Sequence, residues 1–199
     1  MKLNSSPSIC NRVVLLDRDG VINHDSTAYI KSCAEFIFLP GSIEAIRYLT
    51  VHDFKIIVIT NQSAVGRGMI SESELNRIFD HMIAAVTDGG GRITDIFHCP
   101  HHPEDNCRCR KPETGLIQRA QRKYGFDIDR AWMVGDSTRD IECAKNAGCG
   151  RSILVQTGNG PAAQRELRRR CMQPDHIAPD LLAAAHWIVR DFRSSISPS

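Results

Sequence analysis

The chain has 199 residues, 25 Lys plus Arg against 23 Asp plus Glu, and a formal net charge of +2. That length is expected to make one domain over 1–199, and a hydrophobic share of 42% excludes disorder over most of it. The near balance of charge supplies no general attraction to nucleic acid or to a membrane surface, and no apolar run approaches the roughly 18 residues of a membrane span. The N-terminal stretch MKLNSSPSICNRVVLLD lacks a secretory h-region, so a cytoplasmic protein is expected. Eight cysteines are then unusual, because a cytoplasmic chain does not use them as disulfides.

The apolar run 12–17 predicts a buried strand that ends in acid. Ile43, Ile46 and Leu49 give helical spacing to 41–53, and the β-branched run 54–60 predicts a second strand. Gly66-Arg67-Gly68 reads as a flexible loop. Ser71 with Glu74 makes a capping box that opens a helix to about residue 87, which Gly89-Gly90-Gly91 stops. Residues 93–98 predict a third strand, 99–112 a loop rich in Cys, His and Pro, and 114–124 a helix. A fourth strand at 131–135 ends at Asp136, a helix at 138–147 closes on Gly148, and 152–156 makes a fifth strand. Helices at 162–171 and 180–191 lead to a Ser-rich tip at 194–199. This alternation predicts a three-layer, Rossmann-like α/β fold with a parallel sheet and helices on both faces. Ligands of such sheets bind beyond the carboxyl ends of the strands, where Asp17, Thr60, the 99–112 loop and Asp136 all fall.

Four constellations sit at those ends. Asp17-Arg18-Asp19-Gly20-Val21 places two acids at i and i+2, suited to a hard cation or to divided nucleophile and acid roles; alone it also reads as a solvated turn. Thr60-Asn61-Gln62-Ser63 offers hydroxyls, amides and backbone N–H groups to an oxyanion, or is a plain polar loop. Arg110-Lys111-Pro112 brings two cations. Gly135-Asp136-Ser137-Thr138-Arg139-Asp140 sets two acids one helical turn apart, with helix capping explaining one of them. A fifth constellation, Cys99, His101, Cys107 and Cys109 in the pattern C-x-H-x5-C-x-C, makes a closed tetrahedral Zn²⁺ set of structural type, with His98 and His102 as rival ligands.

In this order, the motifs DRDGV, the Thr of TNQS, the Lys of RKP, and GDSTRD resemble the haloacid dehalogenase superfamily of aspartate-based phosphatases over about residues 12–160. The resemblance implies that Asp17 is the nucleophile and Asp19 the general acid and base. It implies that Thr60 and Lys111 hold the phosphoryl oxygens, and that Mg²⁺ is held by Asp17, the Asp19 carbonyl and Asp136. With the zinc loop (98–112) and CPHHP, the chain is similar to the D-glycero-D-manno-heptose-1,7-bisphosphate 7-phosphatases of lipopolysaccharide and surface-glycan heptose biosynthesis. That similarity implies a phosphorylated-sugar substrate and binding residues Asp25, Ser26, Thr27, Ala28, Asn61, Gln62, Ser63 and Arg110. Ser137 stands where some members carry a Lys. The short zinc loop resembles the histidinol-phosphate phosphatases equally, and a non-catalytic zinc-stabilised binding protein is a third class, disfavoured by the complete acid, Thr and Lys set. A monomer without a large cap domain is expected.

Outside these motifs, the basic run Glu166–Arg170 reads as a solvated helix face. Trp132 and Trp187 read as core, His186 as packed, and Cys10, Cys33, Cys143, Cys149 and Cys171 as packing residues or surface thiols.

Overall fold

The computed structural model describes residues 12–196. Residues 1–11 of the N-terminal stretch read for a secretory signal, Cys10 among them, and the end of the Ser-rich tip lie outside the described residues. In chain order the elements are β1 (Val13–Leu16), α1 (Ser42–Val51), β2 (Lys55–Asn61), α2 (Ser63–Gly66), α3 (Glu72–Asp88), β3 (Asp95–Cys99) and α4 (Gly115–Tyr124). They continue with β4 (Trp132–Gly135), α5 (Thr138–Ala147), β5 (Arg151–Val155), α6 (Gly160–Arg169), β6 (His176–Ala178) and α7 (Leu181–Ile196).

The strands form one sheet in the order β3-β2-β1-β4-β5-β6, and every adjacent pair is parallel. Strand alternation divides the core into two layers. Val14 and Leu16 of β1, Ile56 and Val58 of β2, and Val134 of β4 face α1, α3 and α7 through Ile46, Leu75, Met82 and Ile188. Val13, Leu15, Ile57, Ile59 and Met133 point the other way, onto Leu116, Ile117 and Ala120 of α4 and Cys143 and Ala144 of α5. Leu154 of β5 packs on Ala163 and Leu167 of α6. The topology reverses between β1 and β4, which are hydrogen-bonded neighbours far apart in sequence. Asp17 and Asp136, each the first residue after its strand, therefore meet at the switch point where such sheets bind ligands.

The predicted strands and longer helices form within one to three residues of their expected bounds, apart from the last helix, which runs on to Ile196. Four features depart from expectation, one of them His186, expected to be packed and found exposed. First, β6 was not expected, because His176-Ile177-Ala178 has no apolar run. It is an edge strand beside β5, and Asp175 just before it accepts from Ser152 N and Oγ, both at 2.7 Å. Second, Gly66 closes the helical turn α2 and does not serve flexibility. Its N–H donates to the Pro100 carbonyl at 2.8 Å, and a Cβ there would come within 2.6 Å of His102 N and Pro100 O. Only glycine lets the 99–112 loop lie this close. Third, Trp187 is half-buried and stacks on His176 at 4.5 Å, while Trp132 is core.

His186 is exposed on its helix, its ring 4.2 Å from that of Tyr48. The basic run is a solvated face in which Arg170 bridges Glu166 (2.7 Å) and Glu142 (2.6 Å). The capping box forms as read: Ser71 Oγ accepts from Glu74 N, and Glu74 Oε2 accepts from Ser71 N at 2.7 Å. Ser71→Ala should cost about 1 kcal/mol in urea denaturation while leaving the rest of the fold unchanged by circular dichroism.

Candidate active site

The fold gathers the four motifs around Lys111. Its ammonium, 2% exposed, lies 2.8 Å from Asp17 Oδ1 and 2.6 Å from Asp140 Oδ1. Burial works against that positive charge, but Asp140 and Asp17 outweigh it and raise the Lys111 pKa. The lysine backbone is fixed by β2: Lys111 N donates to Asn61 Oδ1 at 3.0 Å, and Asn61 Nδ2 donates to the Lys111 carbonyl at 3.3 Å. The Asn61 amide, expected on substrate, thus holds the RKP segment even though Asn61 also lines the cavity.

Asp140 is buried at the start of α5. Its Oδ2 accepts from Ser137 N (3.0 Å) and Oγ (2.6 Å), so Ser137 and Asp140 form a capping box while the other oxygen meets Lys111. Helix capping and charge pairing here are the same structure. Asp136 is 2% exposed and caps nothing. Its Oδ2 accepts from Asn159 N at 2.7 Å and Asn159 Nδ2 at 3.2 Å. Gly20, at φ +78°, lets the acid-pair turn pass directly against that oxygen, where any Cβ would collide.

The two acids of the first motif are in different states. Burial pushes Asp17 up to about 7, with Asp140 adding to the shift and Lys111 opposing it. Lys111 Nζ and Arg18 N both meet its Oδ1, so Oδ2 carries neither contact. Burial acts on Asp19 as well, but the Arg18 guanidinium and hydrogen bonds from Asn23 and Gln62 overcome it and hold Asp19 below the usual carboxylate range. Arg18, 1% exposed, forks onto Asp19 through Nε (3.1 Å) and Nη2 (2.7 and 2.9 Å), its guanidinium 5.8 Å from the rings of Phe36 and Phe79. Asn23 Nδ2 and Gln62 Nε2 complete the shell at 2.9 and 2.8 Å.

Above these groups opens a cavity of about 360 Å³. Asp17, Asp19, Lys111 and Asp136 lie at its base, and Asp25, Ser26, Thr27, Gln62, Ser63 and Arg110 line it as expected. Two expected residues do not. Ala28 is absent from the lining because its loop turns outward there, where its carbonyl accepts from Lys31 Nζ. Thr60 is buried below, 1% exposed, its hydroxyl accepting from Gln62 Nε2 at 2.9 Å. Tyr29, Arg67, Arg139 and Asn159 line the cavity without having been singled out as ligands. Arg67 sits in the Gly66–Gly68 turn and Arg139 in GDSTRD, so position within a recognised motif was their available signal. Arg110 has an Nη1 with no hydrogen-bond partner, and desolvation together with neighbouring Arg139 lowers its pKa. That is the electrostatics of an anion site.

Two clusters have metal-ligand chemistry. Asp17, Asp136 and Asp140 bring carboxylate oxygens within 4.8 Å of one another. Burial, then Asp140 and Asp17, push Asp136 up to about 8. Crowded, desolvated acids of this kind fit a hard divalent cation that neutralises them. Since Asp140 is already taken up by Lys111 and Ser137, Asp17 and Asp136 are the free members. In the second cluster the Cys109 sulfur lies 3.3 Å from Cys99 and 3.5 Å from Cys107, and His101 Nδ1 lies 3.2 Å from Cys109 and 3.5 Å from Cys99. Three sulfurs and one imidazole at these separations fit the corners of a closed tetrahedral site. The rival histidines point elsewhere: His98 Nε2 meets Glu72 at 3.2 Å, and His102 Nδ1 accepts from Glu104 N.

A HAD-hydrolase-like family model matches residues 108–184. A curated D-glycero-beta-D-manno-heptose-1,7-bisphosphate 7-phosphatase of Bordetella bronchiseptica is 47% identical over 182 residues, covering 90% of this chain and 99% of that one. The chain belongs to this phosphatase family. A relative of the same name from Pseudomonas aeruginosa is 40% identical, covering 89% of this chain and 98% of that one. The crystal structure of the B. bronchiseptica D,D-heptose 1,7-bisphosphate phosphatase, complexed with magnesium and phosphate, superposes with a TM-score of 0.85 at 41% identity over 90% of this chain and 99% of that one. As in that family, the described residues form a haloacid dehalogenase-like sheet, and no helix among them is long and apolar enough to cross a membrane.

The raised carboxyls give a pH signature. Asp17 and Asp136 titrate at about 7 and 8 in the folded chain against 3.8 for a free carboxyl, so the native state keeps protons that the unfolded state has lost. Their contribution to stability therefore falls as pH rises from about 4 to about 8. Mg²⁺ binding the ionised forms should reverse this, so the rise in Tm on adding Mg²⁺ should be larger at about pH 8 than at about pH 5.5 by scanning calorimetry. An equal rise at both would contradict the assignment of these carboxyls.

Proposed function

We propose that this protein is a Mg²⁺-dependent phosphatase that removes the 7-phosphate of D-glycero-D-manno-heptose 1,7-bisphosphate, with the β-anomer named for its relatives as the substrate, in heptose biosynthesis for surface glycans. The observation that carries this reading is Lys111 clamped between Asp17 and Asp140 at the base of an arginine-lined cavity. A phosphoryl-transfer site needs charge neutralisation and positioning above all, and a second cationic group at Arg110 suits a substrate with two phosphates. The whole chain acts as one domain in the cytoplasm, with structural Zn²⁺ on Cys99, His101, Cys107 and Cys109.

Asp17 attacks phosphorus through the oxygen not engaged by Lys111. The bond from phosphorus to the sugar oxygen breaks, and Asp19 delivers a proton to that oxygen. Arg18, Asn23 and Gln62 hold Asp19 below the usual carboxylate range, so the acid step requires it to take a proton and release some of these bonds. In the second half, Asp19 removes a proton from water, the water oxygen attacks the aspartyl-phosphate, and orthophosphate leaves as Asp17 is restored. Lys111 holds the phosphoryl oxygens from the cavity base, and the Thr60 hydroxyl, buried below it and accepting from Gln62 Nε2, has only its proton left to offer them. The Asp17 and Asp136 carboxylates and the Asp19 carbonyl would hold Mg²⁺, which would supply charge neutralisation between nucleophile and phosphate.

The zinc cluster orders the loop that ends in Arg110 and Lys111. Cys99 O accepts from Gln62 N at 2.8 Å, so the same loop also braces the residue that bonds Asp19.

Asp17→Asn should lower kcat by about three orders of magnitude or more with the fold intact by circular dichroism; substantial residual turnover would remove the nucleophile assignment. In a kcat/KM panel of both heptose bisphosphate anomers, fructose bisphosphate and histidinol phosphate, the β-heptose bisphosphate should be preferred. A preference for histidinol phosphate would transfer the protein to that activity. Elemental analysis should find about one zinc per chain, and Cys109→Ser should lose it together with several degrees of Tm.

A further inference from the structure

Asn159 has no place in the chemistry above, yet it touches two parts of the site at once. It lies between β5 and α6, in the turn whose Thr157 Oγ1 donates to the Gly20 carbonyl at 2.6 Å. Its backbone N–H and its Nδ2 both donate to Asp136 Oδ2, at 2.7 and 3.2 Å. The same Nδ2 donates to Asp25 Oδ2 at 3.0 Å. Asp136 and Asp25 are 111 residues apart in sequence by their numbers, one at the base of the cavity and the other on its wall.

A carboxylate that binds a cation through one oxygen takes its orientation from the donors on the other. In Asp136 those donors are the two N–H groups of Asn159, which leave Oδ1 as the oxygen for the cation. The segment carrying Asp25 has otherwise local bonds. Ser26 N donates to Asp25 Oδ1, and Ala28 N donates to Ser26 Oγ. The Asn159 side chain is thus a direct bond from this cavity wall to the cation-binding carboxylate.

We propose that Asn159 is a positioning residue that selects the Asp136 oxygen presented to the divalent cation and, through Asp25, ties the substrate-facing segment Asp25–Thr27 to that same carboxylate. Metal affinity and substrate fit then depend on a common side chain. The inference rests on the Mg²⁺-phosphatase reading of the cavity, and its first readout needs no substrate.

The test uses the zinc-containing protein freed of Mg²⁺ and titrated with Mg²⁺ alone by calorimetry, followed by kcat and KM on the heptose bisphosphate. Asn159→Ala keeps the backbone donor and should weaken Mg²⁺ binding about ten-fold. It should also raise KM several-fold. Asp25→Ala should raise KM to a similar degree while leaving the Mg²⁺ affinity within about two-fold. The double variant should show a KM no higher than Asn159→Ala alone, because the bond from Asn159 Nδ2 to Asp25 Oδ2 is common to both substitutions. A Mg²⁺ affinity unchanged in Asn159→Ala overturns the metal role, and KM effects that multiply in the double variant overturn the tie to Asp25. Should Asn159→Ala fail to fold, Asn159→Ser, whose shorter side chain drops the Asp25 bond, is read the same way. Absence of Mg²⁺ uptake by the unsubstituted protein would remove the cation reading and this inference together, whereas preference for a different phosphorylated sugar would leave the Mg²⁺ result standing.

Discussion

One buried ammonium organises this molecule. Lys111 has almost no access to water and sits between two carboxylates, Asp17 just after β1 and Asp140 in the first turn of α5. Without it, Asp17 and Asp140 would be like charges in a desolvated space, and leaving such charges unpaired typically costs about 3–5 kcal/mol. With it, Asp17 is held at the cavity base with one oxygen engaged and the other unencumbered. The remaining architecture serves to bring this lysine, from a loop, to acids that begin where β1 and β4 stop.

The electrostatics divides labour among chemically identical side chains. Asp17 and Asp136 are pushed towards neutrality by burial and by the charge of Asp140, with Asp17 adding to the effect on Asp136, so they are receptive to a cation. Asp19, two residues from Asp17, is equally enclosed but meets Arg18, Asn23 and Gln62, and stays ionised. Asp140 is committed to Lys111 and to the start of α5. Environment, and not residue type, separates two carboxyls pushed towards neutrality, one held charged and one spent as a strut.

Much of this was legible in the sequence because the signals were local. Apolar runs ending in acid located β1 and β4, and the Ser71–Glu74 spacing fixed the start of α3. The C-x-H-x5-C-x-C spacing named four ligands that the fold brings within bonding range of a common centre. What stayed hidden depends on contacts between distant segments. The three residues of β6 have no periodicity of their own and pair only because Asp175 anchors them to Ser152. Gly66 read as part of a flexible loop because its role, close approach of the 99–112 loop, is defined by residues more than thirty positions away. Arg18 received no role in the sequence, although its side chain is what holds Asp19 below the usual carboxylate range. Asn159 carries no motif, and its meaning arises only when β5 is placed beside β4.

The way Asn61 grips Lys111 constrains how the loop can change length. Both polar atoms of the Asn61 amide are bonded to the Lys111 backbone, and Cys109 lies only two positions before it, anchored in the sulfur cluster. One residue added or removed between Cys109 and Lys111 would turn the lysine out of the acid pair or pull the cysteine from its partners. The arc from His102 to Asn106 has no such double tether: it is mostly exposed and is held by its own turn bonds. Insertions that reshape the cavity rim can therefore be accepted in that arc while the chemistry beneath keeps its register.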